Sequence, residues 1–175
     1  RIMAFKERIP DFKIYSMQEK KEFVKKLNKQ FGIEKLDGII LTRGTDRLFF
    51  YTGDLPISKI VELEHMRLNI ERCGVYFAKM HHGTHRGTRT CDAGEIRLSI
   101  EGVHILRDQI KKNIYELDSE QAQKWMEGSE LNVKSGMSGF VVMKHKDYFL
   151  GCGKASAEKI GNFVPKNRRL KIKNN

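Results

Sequence analysis

The chain has 175 residues, 39% of them hydrophobic and 31% charged, a balance that supports one packed domain or two small ones and excludes a disordered chain. Its formal net charge of +11 fits either an anionic partner or a solvated basic surface. No window approaches the ~18 consecutive apolar residues of a membrane span, and the amino end, RIMAFKERIPDFKIY, carries charges where a signal peptide needs an apolar run, so a cytoplasmic chain with no membrane partner is expected.

In chain order, YSMQEKKEFVKKLNKQFGIE reads as a helix. Ser16 and Glu19 make a capping box, Phe23, Val24, Leu27 and Phe31 share one face, and Gly32 marks the stop. Its outer face is rich in lysine. Two apolar strands follow, at about 38–43 and 47–52, joined by the turn Gly44, Thr45, Asp46. The stretch 58–72 has helical periodicity between Pro56 and Gly74. Strand character resumes in GVYFAKM, and HHGTHRGTRTCDAGE, aperiodic and rich in glycine, is expected to be an exposed loop ahead of EIRLSI. In that last segment Ile96, Leu98 and Ile100 alternate.

EGVHILRDQIKK reads as a short helix, and a domain boundary is placed near Lys112. Beyond it NIYEL is a strand, and DSEQAQKWMEG is a helix capped by Asp118 with Ala122, Trp125 and Met126 on one face. GFVVMKHKDYFLGCGKA is a hairpin about Lys146 and Asp147, and KIGNFVP is a further strand. The fold class expected is α+β, with an α/β module at residues 1–111 and a small, mostly β, barrel-like module at residues 112–175.

Positive charge collects at the carboxyl end, where residues 139–175 hold nine Lys or Arg against Asp147 and Glu158. Such a patch binds polyanions by releasing their condensed counterions. Cys73, Cys91 and Cys152 are odd in number and lack CxxC spacing, so reduced thiols are expected. His81, His82 and His85 with Cys91 are ligand types that zinc prefers. However, adjacent histidines on an extended chain point to opposite sides, and Arg86 and Arg89 raise the cost of holding a cation. A flexible or RNA-touching basic loop carrying Arg86 and Arg89 is the favoured reading, with no metal.

RTCDAG is the segment in which a cysteine nucleophile has candidate partners, and Cys73 and Cys152 read as core thiols. Gly153 and Lys154 superficially resemble the end of a phosphate loop, but the pattern needs glycine where Tyr148 stands and a hydroxyl where Ala155 stands. No catalytic residue and no cofactor is expected. Gly151 and Gly153 fall on one face of a strand by period two, which admits either a ligand backbone close to the strand or relief of crowding at a barrel corner.

The segment GFVVMKHKDYFLGCGKAS resembles the central hairpin of PUA domains, in which an apolar strand, a charged turn and an L-G-x-G-x-A strand recur. The longer series at about 95–170 resembles the PUA-like RNA-binding region of the Nol/Nop/Sun RNA cytosine methyltransferases. The two-module order is similar to the small Nip-type ribosome-biogenesis factors, which carry a pre-PUA segment ahead of the PUA pseudo-barrel.

The resemblance implies RNA binding through Lys144, Lys146, Tyr148, Gly151, Gly153, Lys154, Asn162, Lys166, Arg168 and Arg169. It implies structured tRNA or rRNA as partner, with an RNA-modifying enzyme or pre-ribosomal protein alongside, and a monomer. The reading that follows is a non-catalytic RNA-binding protein of RNA modification or ribosome assembly. The alternative is the RNA-specificity part of a cytosine methyltransferase whose catalytic part lies elsewhere, and the start at Arg1 without an initiator Met is compatible with a trimmed chain. Against that alternative, Pro10, Pro56 and Pro165 are followed by Asp11, Ile57 and Lys166, so the methyltransferase Pro-Cys motif is absent, and the Thr90–Cys91 pair stands without a cofactor fold around it. A pure protein scaffold would not need the basic tail.

Overall fold

The structure, a computed structural model, describes residues 12–44, 46–66, 73–85 and 88–171. Helix α1 (Met17–Phe31) begins at Ser16, whose side chain accepts from the Glu19 N–H while the Glu19 carboxylate accepts from the Ser16 N–H. This reciprocal pair satisfies two of the helix's unpaired donors. Gly32 ends it in the left-handed region, at φ 80, with its N–H donated to Asn28 O. Phe23, Leu27 and Phe31, four residues apart, are buried on one face.

That face packs on a five-stranded antiparallel sheet in the order β1-β2-β3-β4-β5, comprising β1 (Phe12–Ile14), β2 (Ile39–Arg43), β3 (Arg47–Tyr51), β4 (Val75–His85) and β5 (Thr88–Leu98). Gln30 of α1 clips onto β5 with both ends of its amide, donating to Ile96 O and accepting from Ile96 N–H. Here the fold departs from expectation in two places. Strand β1 is additional: three residues are too few for the alternation of Phe12, Lys13 and Ile14 to announce a strand, and it is held by pairing with β2 and by Ile14 packing on the third cluster. The segment expected as a loop is instead the outer part of the β4–β5 hairpin, which pairs as far as His85 and Thr88. A ladder in polar sequence needs only backbone bonds and β-tolerant residues such as Thr84, Thr88 and Thr90, so no alternation announces it.

Helix α2 (Ile57–His65) occupies the amino-terminal half of the expected helix, whose residues 67–72 lie outside the described residues. Helix α3 (Ile100–Leu106) starts at Ser99, whose hydroxyl accepts from Gly102 N–H and donates to Tyr76 O. A 3-10 turn at Arg107–Gln109 leads to β6 (Ile114–Glu116), α4 (Ser119–Glu127), β7 (Gly139–His145), β8 (Tyr148–Ala155) and β9 (Ile160–Asn162). The second sheet runs β6-β7-β8-β9, with β6 parallel to β7 and the other pairs antiparallel. The chain is thus an α+β fold, and its second sheet is small.

Sheet two is buried on both sides. Phe140, Val142 and Cys152 enter the main core with Phe23, Leu27, Phe77, Leu98 and Val103. On the other face Val141, Met143, Ala155 and Ile160 pack beneath Trp125 of α4, which is 0% exposed and donates its indole N–H to Leu150 O at 2.9 Å. A third, smaller cluster joins Ile60 of α2 to Leu41, Phe49 and Cys73 on the far face of sheet one.

Candidate nucleic-acid interface

The β7–β8 hairpin turns through Lys146, a non-glycine residue at φ 53, and Asp147. Lys146 is exposed and Tyr148 is 68% exposed, an aromatic beside a cation at the end of the sheet. Lys144, two residues back along β7, ion-pairs with Glu116 at 3.0 Å and stands over the Phe149 ring.

Both strand glycines are buried, each for a different packing reason. Lys144 pairs with Phe149 and Val142 with Cys152, so Met143 faces two residues, Leu150 and Gly151. The bulge puts Gly151 at φ 91, a conformation side-chain-bearing residues rarely adopt, with Ile100 Cγ1 3.0 Å from where a Cβ would stand. At Gly153 an added Cβ would lie 2.5 Å from Ile160 Cγ2 and 2.8 Å from Trp125 Cη2. The close approach expected from their period-two spacing is therefore made by the protein's own interior. Gly151 does line one wall of a small cleft, about 90 Å³, together with Arg97, Ser99, Glu101, Phe163 and Pro165.

The remaining expected residues divide by what already holds them. Lys154 pairs with Glu95 at 3.6 Å, and Arg168 with Glu101 at 2.5 Å. These pairs are exposed and worth ~1 kcal/mol or less each, so a phosphate can displace the carboxylate. Asn162 is spent internally: its amide nitrogen donates to Trp125 O and Ser129 O, and its oxygen accepts from Val164 N–H. Arg169 donates to Val164 O and lies across Gly128 at the carboxyl end of α4, where the helix dipole favours a cation. Lys166 opens the 3-10 turn Lys166–Arg168, exposed and without an ion pair among the described residues. Lys146, Tyr148 and Lys166 are thus the most available members of the set. Arg86 and the side chain of Arg89 lie outside the described residues.

A group that the sequence did not disclose joins the two sheets. The rings of Phe140 and Phe163 are 5.8 Å apart, His81 is 4.7 Å from Phe140, and the Arg97 guanidinium lies 4.5 Å over Phe163, which is 38% exposed. Lys154 stands over the other ring of this pair, Phe140, at 5.2 Å. The signal for Arg97 is its outward place between Ile96 and Leu98, but nothing local pairs it with a ring 66 residues away.

Burial depresses the His81 pKa to about 4, assisted by the positive charges of Arg97, Lys79 and Lys154 and opposed by Asp46. The folded value lies below the ordinary 6.5, so the unfolded chain takes up the proton first, and stability should be full above about 6.5 and decline as pH falls toward 4. A His81→Gln variant should show a shallower fall in melting temperature between pH 6.5 and 5 than the natural chain. Equal slopes would exclude His81 as the source.

Among the described residues no group of three or more His, Cys, Asp or Glu is placed to share a metal ion. The side chains of His82, His85 and Cys91 lie outside those residues. Cys73 and Cys152 are buried free thiols, and burial pushes Cys152 up to about 12, so neither is a nucleophile at neutral pH.

No curated protein matches the chain. Residues 112–170, about a third of its length, match the family model described as Methyltransferase RsmF PUA domain, and the small sheet with α4, Lys146, Tyr148 and Lys166 is accordingly a PUA-family domain.

Proposed function

We propose that the chain binds structured tRNA or rRNA through its carboxyl-terminal module and acts, without catalysis of its own, in RNA modification or ribosome assembly. The observation that carries this reading is the PUA-family match at residues 112–170, the stretch that also holds the exposed Lys146, Tyr148 and Lys166. A pseudo-barrel PUA module at 112–175 behind a pre-PUA-like α/β module at 1–111 is the architecture that goes with it. Lysines at a sheet end position an RNA backbone, and an exposed tyrosine supplies a stacking surface for a base.

A salt titration tests the reading. The double variant Lys146→Ala, Lys166→Ala should bind an RNA stem-loop more weakly, and its plot of log affinity against log salt should be shallower by about 1.4 to 1.8, at roughly 0.7 to 0.9 for each phosphate left without its cation. Affinity indifferent to salt and to both substitutions would refute it.

The description of the matching family favours one second reading, in which this chain is the RNA-specificity part of an RNA cytosine methyltransferase. An S-adenosylmethionine domain encoded upstream in the same transcript would decide for that reading.

A further inference from the structure

We infer that the outer face of the five-stranded sheet carries a second RNA-binding surface, a transverse row of cations, Arg43, Arg47, Lys79 and Arg97, that takes the phosphates of an RNA strand and leads them to Phe163. The inference rests on the RNA-binding reading above and extends it to the first sheet.

The row is set by strand register. Arg43 of β2 pairs with Arg47 of β3, Arg47 with Lys79 of β4, and Lys79 with Arg97 of β5. Residues directly opposite in a sheet point to the same face, and strands lie about 4.8 Å apart, so the four cations span about 14 Å. Like charges placed directly opposite each other are destabilising, whereas opposite charges at such positions stabilise a sheet. Three successive like-charged pairs work against the fold, which is the signature of a surface kept for a ligand of opposite charge.

The neighbouring groups leave the charge of Arg47, Lys79 and Arg97 largely uncompensated. Among the described residues Arg47, Lys79 and Arg97 make no ion pair. Glu95 and Glu101, the acids nearest Arg97 in sequence, hold Lys154 and Arg168. Asp46, in the turn beside Arg47, brings one negative charge against the three of Arg47, Lys79 and Arg97. Among the described residues no helix covers the row. Helix α1 lies over the other face, where Leu48, Ala78, Ile96 and Leu98 enter the core. Helix α2 packs on the same face but toward the opposite end of the strands, through Ile60 against Leu41, Phe49 and Cys73. Arg47 is exposed and its three neighbours are half-buried.

The row also ends at chemistry that suits RNA. Arg97 stacks on Phe163, whose half-open ring lines the cleft with Pro165, and Arg168 lies at Glu101 on the same cleft. A strand crossing the row would bring a base to an aromatic ring and its next phosphate to the carboxyl-terminal cations, a combination of stacking and charge that single strands use.

The variant Arg47→Gln, Lys79→Gln removes two members and leaves Arg97 on Phe163. Bound to a labelled RNA stem-loop, it should lose about tenfold in affinity at low salt, and its salt slope should be shallower by about 1.4. Its melting temperature should stay level or rise, because a repulsion has been removed, and Arg47→Lys should keep the natural affinity. Should the double variant not fold, Lys79→Gln alone should lower the slope by about 0.7. Unchanged affinity and slope in the row variant, while Lys146→Ala with Lys166→Ala still weakens binding, would overturn the row and leave the carboxyl-terminal reading standing. A natural chain that binds polyglutamate and not the stem-loop would overturn both.

Discussion

Replacing Gly102 by alanine is expected to destabilise the chain by about 3 kcal/mol, the upper end of ordinary overpacking, and to lower its melting temperature by roughly 6 to 12 °C. Helix propensity alone points the other way, since alanine is favoured over glycine by about 1 kcal/mol in a helix interior. The difference comes from what α3 rests on. A Cβ at Gly102 would stand 1.9 Å from the carbonyl oxygen of Phe77 and 2.8 Å from its carbon, both backbone atoms of β4 that cannot rotate aside. Helix α3 would have to lift from the sheet, withdrawing Val103 and Leu106 from the main core. Calorimetry on the single variant decides the matter, and an unchanged or raised melting temperature would show that α3 is not seated on β4 in this way.

The second large effect is expected at Gly153. Valine is favoured in strands, yet its Cβ would meet Ile160 and the ring edge of Trp125, and the cost should be about 1 to 3 kcal/mol. Affinity of the folded fraction for RNA should hold, because the position faces the second core. Two measurements on one variant, melting temperature and RNA affinity, separate this from a direct role in binding. A stable Gly153→Val protein that loses about tenfold or more in RNA affinity would place the strand against the ligand and refute the packing role.

Elements marked by local chemistry are legible in the chain. Ser16 with Glu19, Asp118 ahead of Ser119, and Gly32 and Gly128 at left-handed C-caps bound their helices through interactions within a few residues. The hairpin about Lys146 and Asp147 is equally legible, because apolar strands flank two turn residues. What escapes a reading of the chain depends on residues far apart. Strand β1, too short for its alternation to be read, exists through β2, and the outer β4–β5 hairpin exists through its own ladder.

The candidate site is legible in charge and partly hidden in geometry. The basic carboxyl-terminal segment and the exposed Lys146, Tyr148 and Lys166 follow from composition and turn chemistry. Asn162 and Arg169 look equally available in the sequence, and only their bonds to the end of α4 and to Val164 show that they hold the module together. The glycine spacing is real, but spacing does not say whether the close neighbour is a ligand or Trp125. Arg43, Arg47, Lys79 and Arg97 are scattered over four strands, and they become one feature only when register aligns them.

We propose that this chain binds RNA and that its carboxyl-terminal module holds it. Ultraviolet crosslinking of the purified chain to an RNA stem-loop, with the attached peptides mapped by mass spectrometry, tests it most directly, since exposed aromatic rings beside a nucleic acid crosslink efficiently. Adducts are expected within residues 139–171, with Tyr148 and Phe163 among the modified positions. Adducts confined to α1 and α2, or none at any RNA concentration, would contradict it.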